Sequence, residues 1–215
     1  MTSGPTIGIV GGTGDLGSGL AKMWSAAGYQ VIVGSRLVEK AVASAEKIGN
    51  GVRGSDNIDA AATADVIVIA VPFASHEDTL LSIREEVRGK IVIDAVVPLV
   101  PPKVSIVQLP KEGSVAKIAQ AILGADVRLA AAFHNVGATK LHQGRKADCD
   151  VLVFSDDQET RNVVIELASH VAERAIDGGV LANSAAAEAL TSILIGINRK
   201  YKVSGAGIRI TGLRS

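Results

Sequence analysis

The stretch Ile7-Gly8-Ile9-Val10-Gly11-Gly12-Thr13-Gly14-Asp15-Leu16-Gly17 decides the fold. It begins as a short apolar strand, Ile7–Val10, and runs into a segment of helical period, Leu16–Ala27, whose Leu16, Leu20, Met23 and Trp24 share one face. Between them, Gly12, Gly14 and Gly17 have the spacing G-x-G-x-x-G. That spacing alone is weak evidence. Placed after a strand and at the start of a helix, it is the loop of a dinucleotide-binding βαβ unit. Gly12 permits the tight turn, Gly14 lets the backbone approach a pyrophosphate, and Gly17 lets the helix pack close to the strand. The helix N-terminus, with Asp15 and Leu16 in its first turn, supplies free N–H groups and a partial positive charge to that pyrophosphate.

The second strand tells which dinucleotide. Val31-Ile32-Val33-Gly34-Ser35-Arg36-Leu37-Val38-Glu39-Lys40 has no carboxylate at the strand end, where an NAD site places one for the ribose 2′-hydroxyl. A carboxylate there would repel a 2′-phosphate, whereas Ser35 and Arg36 donate to one. Lys40 joins them if the next helix begins between Arg36 and Lys40, and Thr13 adds a hydroxyl from the loop. The cofactor expected is NADP(H). The plainer alternative makes Arg36 and Lys40 solvated charges partnered by Glu39.

Outward from this unit, strand-length apolar runs alternate with helical periods. Strands are expected at Val31–Val33, Val66–Val71, Ile91–Ile93, Leu129–Phe133 and Val151–Phe154. Helices are expected at Val38–Ile48, Glu77–Val87, Val115–Leu123, Gln158–Ala172 and Ala182–Lys200. Pro98–Pro102 is a loop. The predicted class is α/β: a Rossmann-type, doubly wound, mainly parallel sheet with a smaller C-terminal lobe ending in a long helix. Residues 1–138 form the NADP-binding domain, and residues 139–215 a lobe that packs on it and completes the substrate site.

Composition fits. The chain has 215 residues, 47% hydrophobic but only 3% aromatic, so small aliphatic side chains must fill a closely packed interior. The 22 basic and 22 acidic residues cancel, which argues against nucleic-acid or membrane-surface partners. Met1–Thr6 is short and polar, with no signal peptide or spanning segment, and a cytoplasmic protein is the expectation. The single cysteine, Cys149, reads as a small buried residue, and no metal site is expected.

Beyond the glycine loop and Val33-Gly34-Ser35-Arg36, further blocks carry a resemblance: Val71-Pro72-Phe73, Pro98-Leu99-Val100-Pro101-Pro102, and Ala132-Phe133-His134-Asn135-Val136. Asp148-Cys149-Asp150-Val151-Leu152-Val153 with Asp156-Asp157, and Leu181-Ala182-Asn183-Ser184, extend it over nearly the whole chain. The sequence resembles the NADP-dependent oxidoreductases of coenzyme F420. The resemblance implies hydride transfer between nicotinamide C4 and deazaflavin C5. It places Val71 and Pro72 under the stacked rings, and Phe73, His76, His134, Asn135, Val136, Gly137, Ala138 and Gly207 around the deazaflavin. Family members commonly carry Trp at the position of Phe73 and Pro near Gly137. In such a site the coenzymes carry the chemistry, and the protein positions two rings and excludes water. His134 is the candidate orienting residue, donating to the polar edge of the deazaflavin rather than acting as a required acid. Lys140, Arg145 and Lys146 are candidates for attracting its acidic tail. A homodimer through the stripe Leu190, Ile193, Leu194 and Ile197 is the family-like expectation.

Two rivals remain: an NADPH-dependent reductase of a flavin, ferric complex or pterin, which would share the first hundred residues, and a non-catalytic NADP(H) sensor, which would use the same glycine-rich loop. A short-chain dehydrogenase would need Tyr-x-x-x-Lys, and neither Tyr29 nor Tyr201 has Lys four residues later.

Overall fold

The computed structural model describes residues 4–213. Met1–Ser3 of the polar N-terminal lead-in therefore lie outside the described residues. The strands are β1 Ile7–Val10, β2 Val31–Ser35, β3 Arg53–Asp56, β4 Val66–Ile69, β5 Ile91–Asp94, β6 Arg128–Ala131, β7 Ala147–Phe154 and β8 Ala172–Gly179. The helices are α1 Asp15–Ala26, α2 Val38–Ile48, α3 Asn57–Thr63, α4 His76–Ile83, α5 Val115–Leu123, α6 Ala138–His142, α7 Gln158–Ser169 and α8 Ser184–Tyr201. All eight strands belong to one sheet, in the order β3-β2-β1-β4-β5-β6-β7-β8. Every pairing is parallel except β6 with β7.

The sheet is buried on both faces because its central strands are apolar along nearly their whole length, Asp94 at the end of β5 excepted. On β4, Val66 and Val68 enter one core cluster while Ile67 and Ile69 enter the other. On β5, Ile91 and Ile93 alternate with Val92 in the same way. This is the period-two geometry of a strand covered by helices on both sides. Leu20, Met23 and Trp24 of α1 close one face, and Leu80 and Ile83 of α4 close the other. Trp24 also donates its indole N–H to the Leu167 carbonyl at 2.9 Å, tying α1 to α7.

The departures from expectation have local causes. β3 reads Arg-Gly-Ser-Asp and was not foreseen, because an edge strand paired on one side only needs no apolar run. α3 follows it, and its N-cap Asp56 accepts from Asp59 N–H at 2.8 Å. The helix expected over Gln158–Ala172 stops at Ser169, and Ala172 starts β8. Phe133, expected at a strand end, lies beyond β6 with φ of +69°. The apolar stripe of α8 is only partly used within the chain: Leu194 is buried, but Ile193 is 50% and Ile197 36% exposed.

Candidate functional site

The order β2-β1-β4 places the topological switch point between β1 and β4, where a doubly wound sheet opens a crevice at its carboxyl edge. The glycine loop leaves β1 there and faces Ala70-Val71-Pro72 leaving β4. Gly11 adopts φ of +74°, and a Cβ on it would lie 2.4 Å from Val71 Cγ1. The conformational freedom expected of Gly12 is thus exercised by Gly11. Gly12 must be small because a Cβ would meet the Ile9 carbonyl oxygen at 2.7 Å. Gly17 packs as expected, since its Cβ would come 2.6 Å from Gly12 Cα. Around Gly14 the nearest atom to such a Cβ is 3.7 Å away, which leaves that side of the loop open.

Gly14 is also the N-cap of α1, and no side chain caps this helix. The first N–H groups of its opening turn, from Asp15 to Gly17, have no side-chain acceptor among the described residues. An uncapped N-terminus of a 12-residue helix is a ready anion site, so the residues fit a pyrophosphate there.

A cavity of about 240 Å³ runs from this loop to the end of β2. Thr13, Gly14, Ser35, Arg36 and Lys40 line it, with Val71 and Pro72 on the opposite wall, and no carboxylate does. α2 begins at Val38, between Arg36 and Lys40, the arrangement that brings both cations to one cavity. Neither makes an ion pair among the described residues, so the Glu39 pairing is not observed. This donor set fits a ribose 2′-phosphate. Sequence reasoning missed Asn57. It lines the same cavity and accepts the Gly11 N–H on its Oδ1 at 3.1 Å. It sits at the start of α3, and the capping pair Asp56–Asp59 was the one signal that could have located it.

A second cavity, of about 380 Å³, opens at the end of β6. His134, Asn135, Val136 and Gly137 line one side; Thr191, Leu194 and Asn198 of α8, with Gly205 and Ala206, line the other. Phe133 positions this turn. It is buried, held in the left-handed region, and packed edge-on against Trp24 with ring centroids 5.8 Å apart. The next carbonyl, of His134, accepts the Thr191 hydroxyl at 2.7 Å, and Asn135 donates its amide to the Asp150 carbonyl at 2.9 Å. Burial drives the His134 pKa down to about 4, against an opposing pull from the Asp94 charge. The imidazole is therefore neutral at neutral pH. The tail is clamped beside β7: Asp150 receives two bonds from Arg174, at 2.8 and 2.7 Å, and its N–H donates to the Ile208 carbonyl at 2.8 Å.

Other expected residues fall elsewhere. Phe73 is half-buried against the core, and Ala138 begins α6. His76 is fully buried and paired with Asp94, not facing this cavity. Gly207 packs on Cys149, where a Cβ would come within 2.5 Å of the cysteine Cβ. Cys149 itself is buried, with its thiol pushed up to about 11 chiefly by that burial. Lys140 lies 3.9 Å from Asp148, while Arg145 and Lys146 are exposed and outside the cavity.

A family model described as NADP oxidoreductase, coenzyme F420-dependent, matches residues 6–98. The F420-dependent NADP reductase of Methanothermobacter thermautotrophicus is 40% identical, covering 96% of this chain and 95% of its own. That of Methanocaldococcus jannaschii is also 40% identical, over 96% and 98% of the two chains. A solved structure from an Arthrobacter species, titled a putative F420-dependent NADP reductase, superposes with a TM-score of 0.80 over 97% of this chain and all of its own. At 23% identity it establishes the shared fold. The glycine loop, the carboxylate-free cavity beside it and near-full-length identity to these reductases agree, and the chain belongs to the coenzyme F420-dependent NADP oxidoreductase family.

Proposed function

We propose that this protein is an NADPH-dependent F420 reductase. The observation that carries the NADP half is the first cavity, where Arg36 and Lys40, unpaired among the described residues, and the hydroxyls of Thr13 and Ser35 stand with no acid in the lining, beside an uncapped helix N-terminus. The F420 half rests on family membership. When bound, the two coenzymes supply the chemistry, a hydride passing between nicotinamide C4 and deazaflavin C5.

The chain's own residues have simpler tasks. The α1 N-terminus holds the pyrophosphate, and Thr13, Ser35, Arg36 and Lys40 bind the 2′-phosphate. Val71 and Pro72 provide an apolar wall that keeps water from the ring. His134, neutral and fixed by the Phe133 turn, donates a hydrogen bond to the polar edge of the deazaflavin in the second cavity. Asn135, Val136 and Gly137 line it from the same turn. This division supports reading residues 1–138 as the NADP unit and 139–215 as the lobe completing the substrate site, because the second cavity is walled by both.

The protein is further read as a cytoplasmic homodimer. The exposed Ile193, Ile197 and Tyr201 of α8 support the dimer, since an unpaired apolar helix face favours a second copy. None of the described helices is long and apolar enough to cross a membrane.

The test is optical. Protein mixed with NADPH and oxidised F420 is expected to bleach the deazaflavin absorbance, with no comparable turnover of FMN, FAD or ferric chelates. Turnover of a flavin or ferric chelate but not F420 overturns the assignment. Binding of NADPH with no turnover of any acceptor identifies a sensor instead.

A further inference from the structure

The carboxyl ends of β4, β5 and β6 enclose a buried acid–histidine pair that the hydride-transfer reading does not use. Asp94 ends β5 and is 1% exposed; His76 begins α4 and is fully buried. His76 Nε2 lies 2.8 Å from Asp94 Oδ2. An ionised carboxylate only accepts, so the hydrogen-bond partners assign the Nε2 proton to the histidine. The other ring nitrogen, Nδ1, is buried without any hydrogen-bond partner. A proton there would be a buried donor with nothing to receive it. With its proton on Nε2 the ring donates to Asp94 without bringing a charge of its own, and the carboxylate also accepts the Val96 N–H at 3.1 Å.

The sheet register puts this charge between the two cavities. Asp94 pairs with Ile69 on one side and Ala131 on the other. Just beyond Ile69 the chain reaches Val71 on the cofactor wall. Just beyond Ala131 it reaches His134 on the second cavity. The Asp94 charge acts on the His134 imidazole and on Glu188 of α8, so its field extends through this region. Glu188 is occupied elsewhere, accepting the Val115 and Ala116 N–H groups and the Ser184 hydroxyl.

We infer that Asp94, held in place by His76, is a positioning charge that favours the oxidised over the reduced nicotinamide at this site. The inference rests on the NADP(H) reading above. The reduced ring is neutral and the oxidised ring carries one positive charge, so a fixed, desolvated negative charge nearby discriminates between them. It favours the charge that appears on the nicotinamide as hydride leaves NADPH.

The experiment measures binding, not turnover. The dissociation constants of NADP+ and NADPH are determined by titration calorimetry for wild type, Asp94→Asn, Asp94→Ser and His76→Gln. Both Asp94 variants are expected to weaken NADP+ on the order of tenfold relative to NADPH, a Coulombic effect across several ångströms of protein. His76→Gln keeps a donor for Asp94 and is expected to leave the ratio unchanged. Equal weakening of both forms, or an unchanged ratio in the Asp94 variants, overturns the inference while NADPH binding stands. A wild type that binds neither form overturns the NADP(H) reading, and this inference with it.

Discussion

The side-chain oxygen of Asn57 accepts the backbone N–H of Gly11 at 3.1 Å, so the first residue of α3 holds the glycine loop that leaves β1. This bond passes over the end of β2 and ties the loop after β1 to the helix that follows β3. Asn57→Ala leaves the Gly11 N–H without its partner, at a cost of about 1–2 kcal/mol. The Michaelis constant for NADPH is expected to rise roughly tenfold, with a smaller change in kcat. Asn57→Asp can still accept from Gly11 but brings a negative charge into the phosphate cavity. It is therefore expected to bind NADPH more weakly than Asn57→Ala, while recovering thermal stability. Equal NADPH affinity in the two variants counts against a phosphate beside Asn57.

Arg36 and Lys40 face one cavity without competing acids, and each offers charge-assisted bonds worth about 1.5–3 kcal/mol. Arg36→Ala is expected to lower NADPH affinity roughly 10- to 100-fold and to leave NADH affinity nearly unchanged. Lys40→Ala is expected to do the same to a smaller degree, because a lysine head is a point charge without a planar fork. Wild-type protein that binds NADH as tightly as NADPH removes the basis for a 2′-phosphate site.

His134 makes a prediction about pH. Its pKa is lowered from 6.5 to about 4, chiefly by burial. Below pH 6.5 the unfolded chain binds a proton that the folded chain refuses until about pH 4. Stability is therefore complete above that window and falls as pH drops through it, by roughly 3 kcal/mol in all. Denaturant melts of wild type between pH 7 and pH 4 are expected to show this loss. His134→Gln, which cannot titrate, is expected to show a correspondingly shallower slope. Identical slopes would mean that His134 is not the buried neutral group described.

The α8 face supplies the fourth prediction. Ile193 and Ile197, with Tyr201 at 65% exposure, lie on a helix whose other side is anchored through Leu194 and Glu188. Replacing both isoleucines by glutamate is expected to halve the mass measured by light scattering while NADPH affinity persists. A wild type that is already monomeric at micromolar concentration sinks the dimer.

The β1 loop and the end of β2 were legible because short-range rules govern them. Glycine spacing, strand length and a missing carboxylate all lie within one βαβ unit, and the structure brings Thr13, Ser35, Arg36 and Lys40 to a single cavity. β3 and α3 were not legible. Edge pairing supplies β3 with the stability that an apolar run supplies elsewhere, and small alanines suffice to pack α3. With that segment unread, Asn57 could not be placed.

The sequence by itself determined the α/β class, the dinucleotide loop and the phosphate preference, because periodicity and charge are properties of neighbouring residues. Only the tertiary structure decided that Gly11 makes the turn, since a side chain there would collide with Val71 and Ala70, which leave β4 far along the chain. Only it decided that His76 is buried on Asp94 and that His134 meets α8 and the C-terminal tail. Those contacts join residues far apart in the chain, and burial, not local pattern, fixes what each one does.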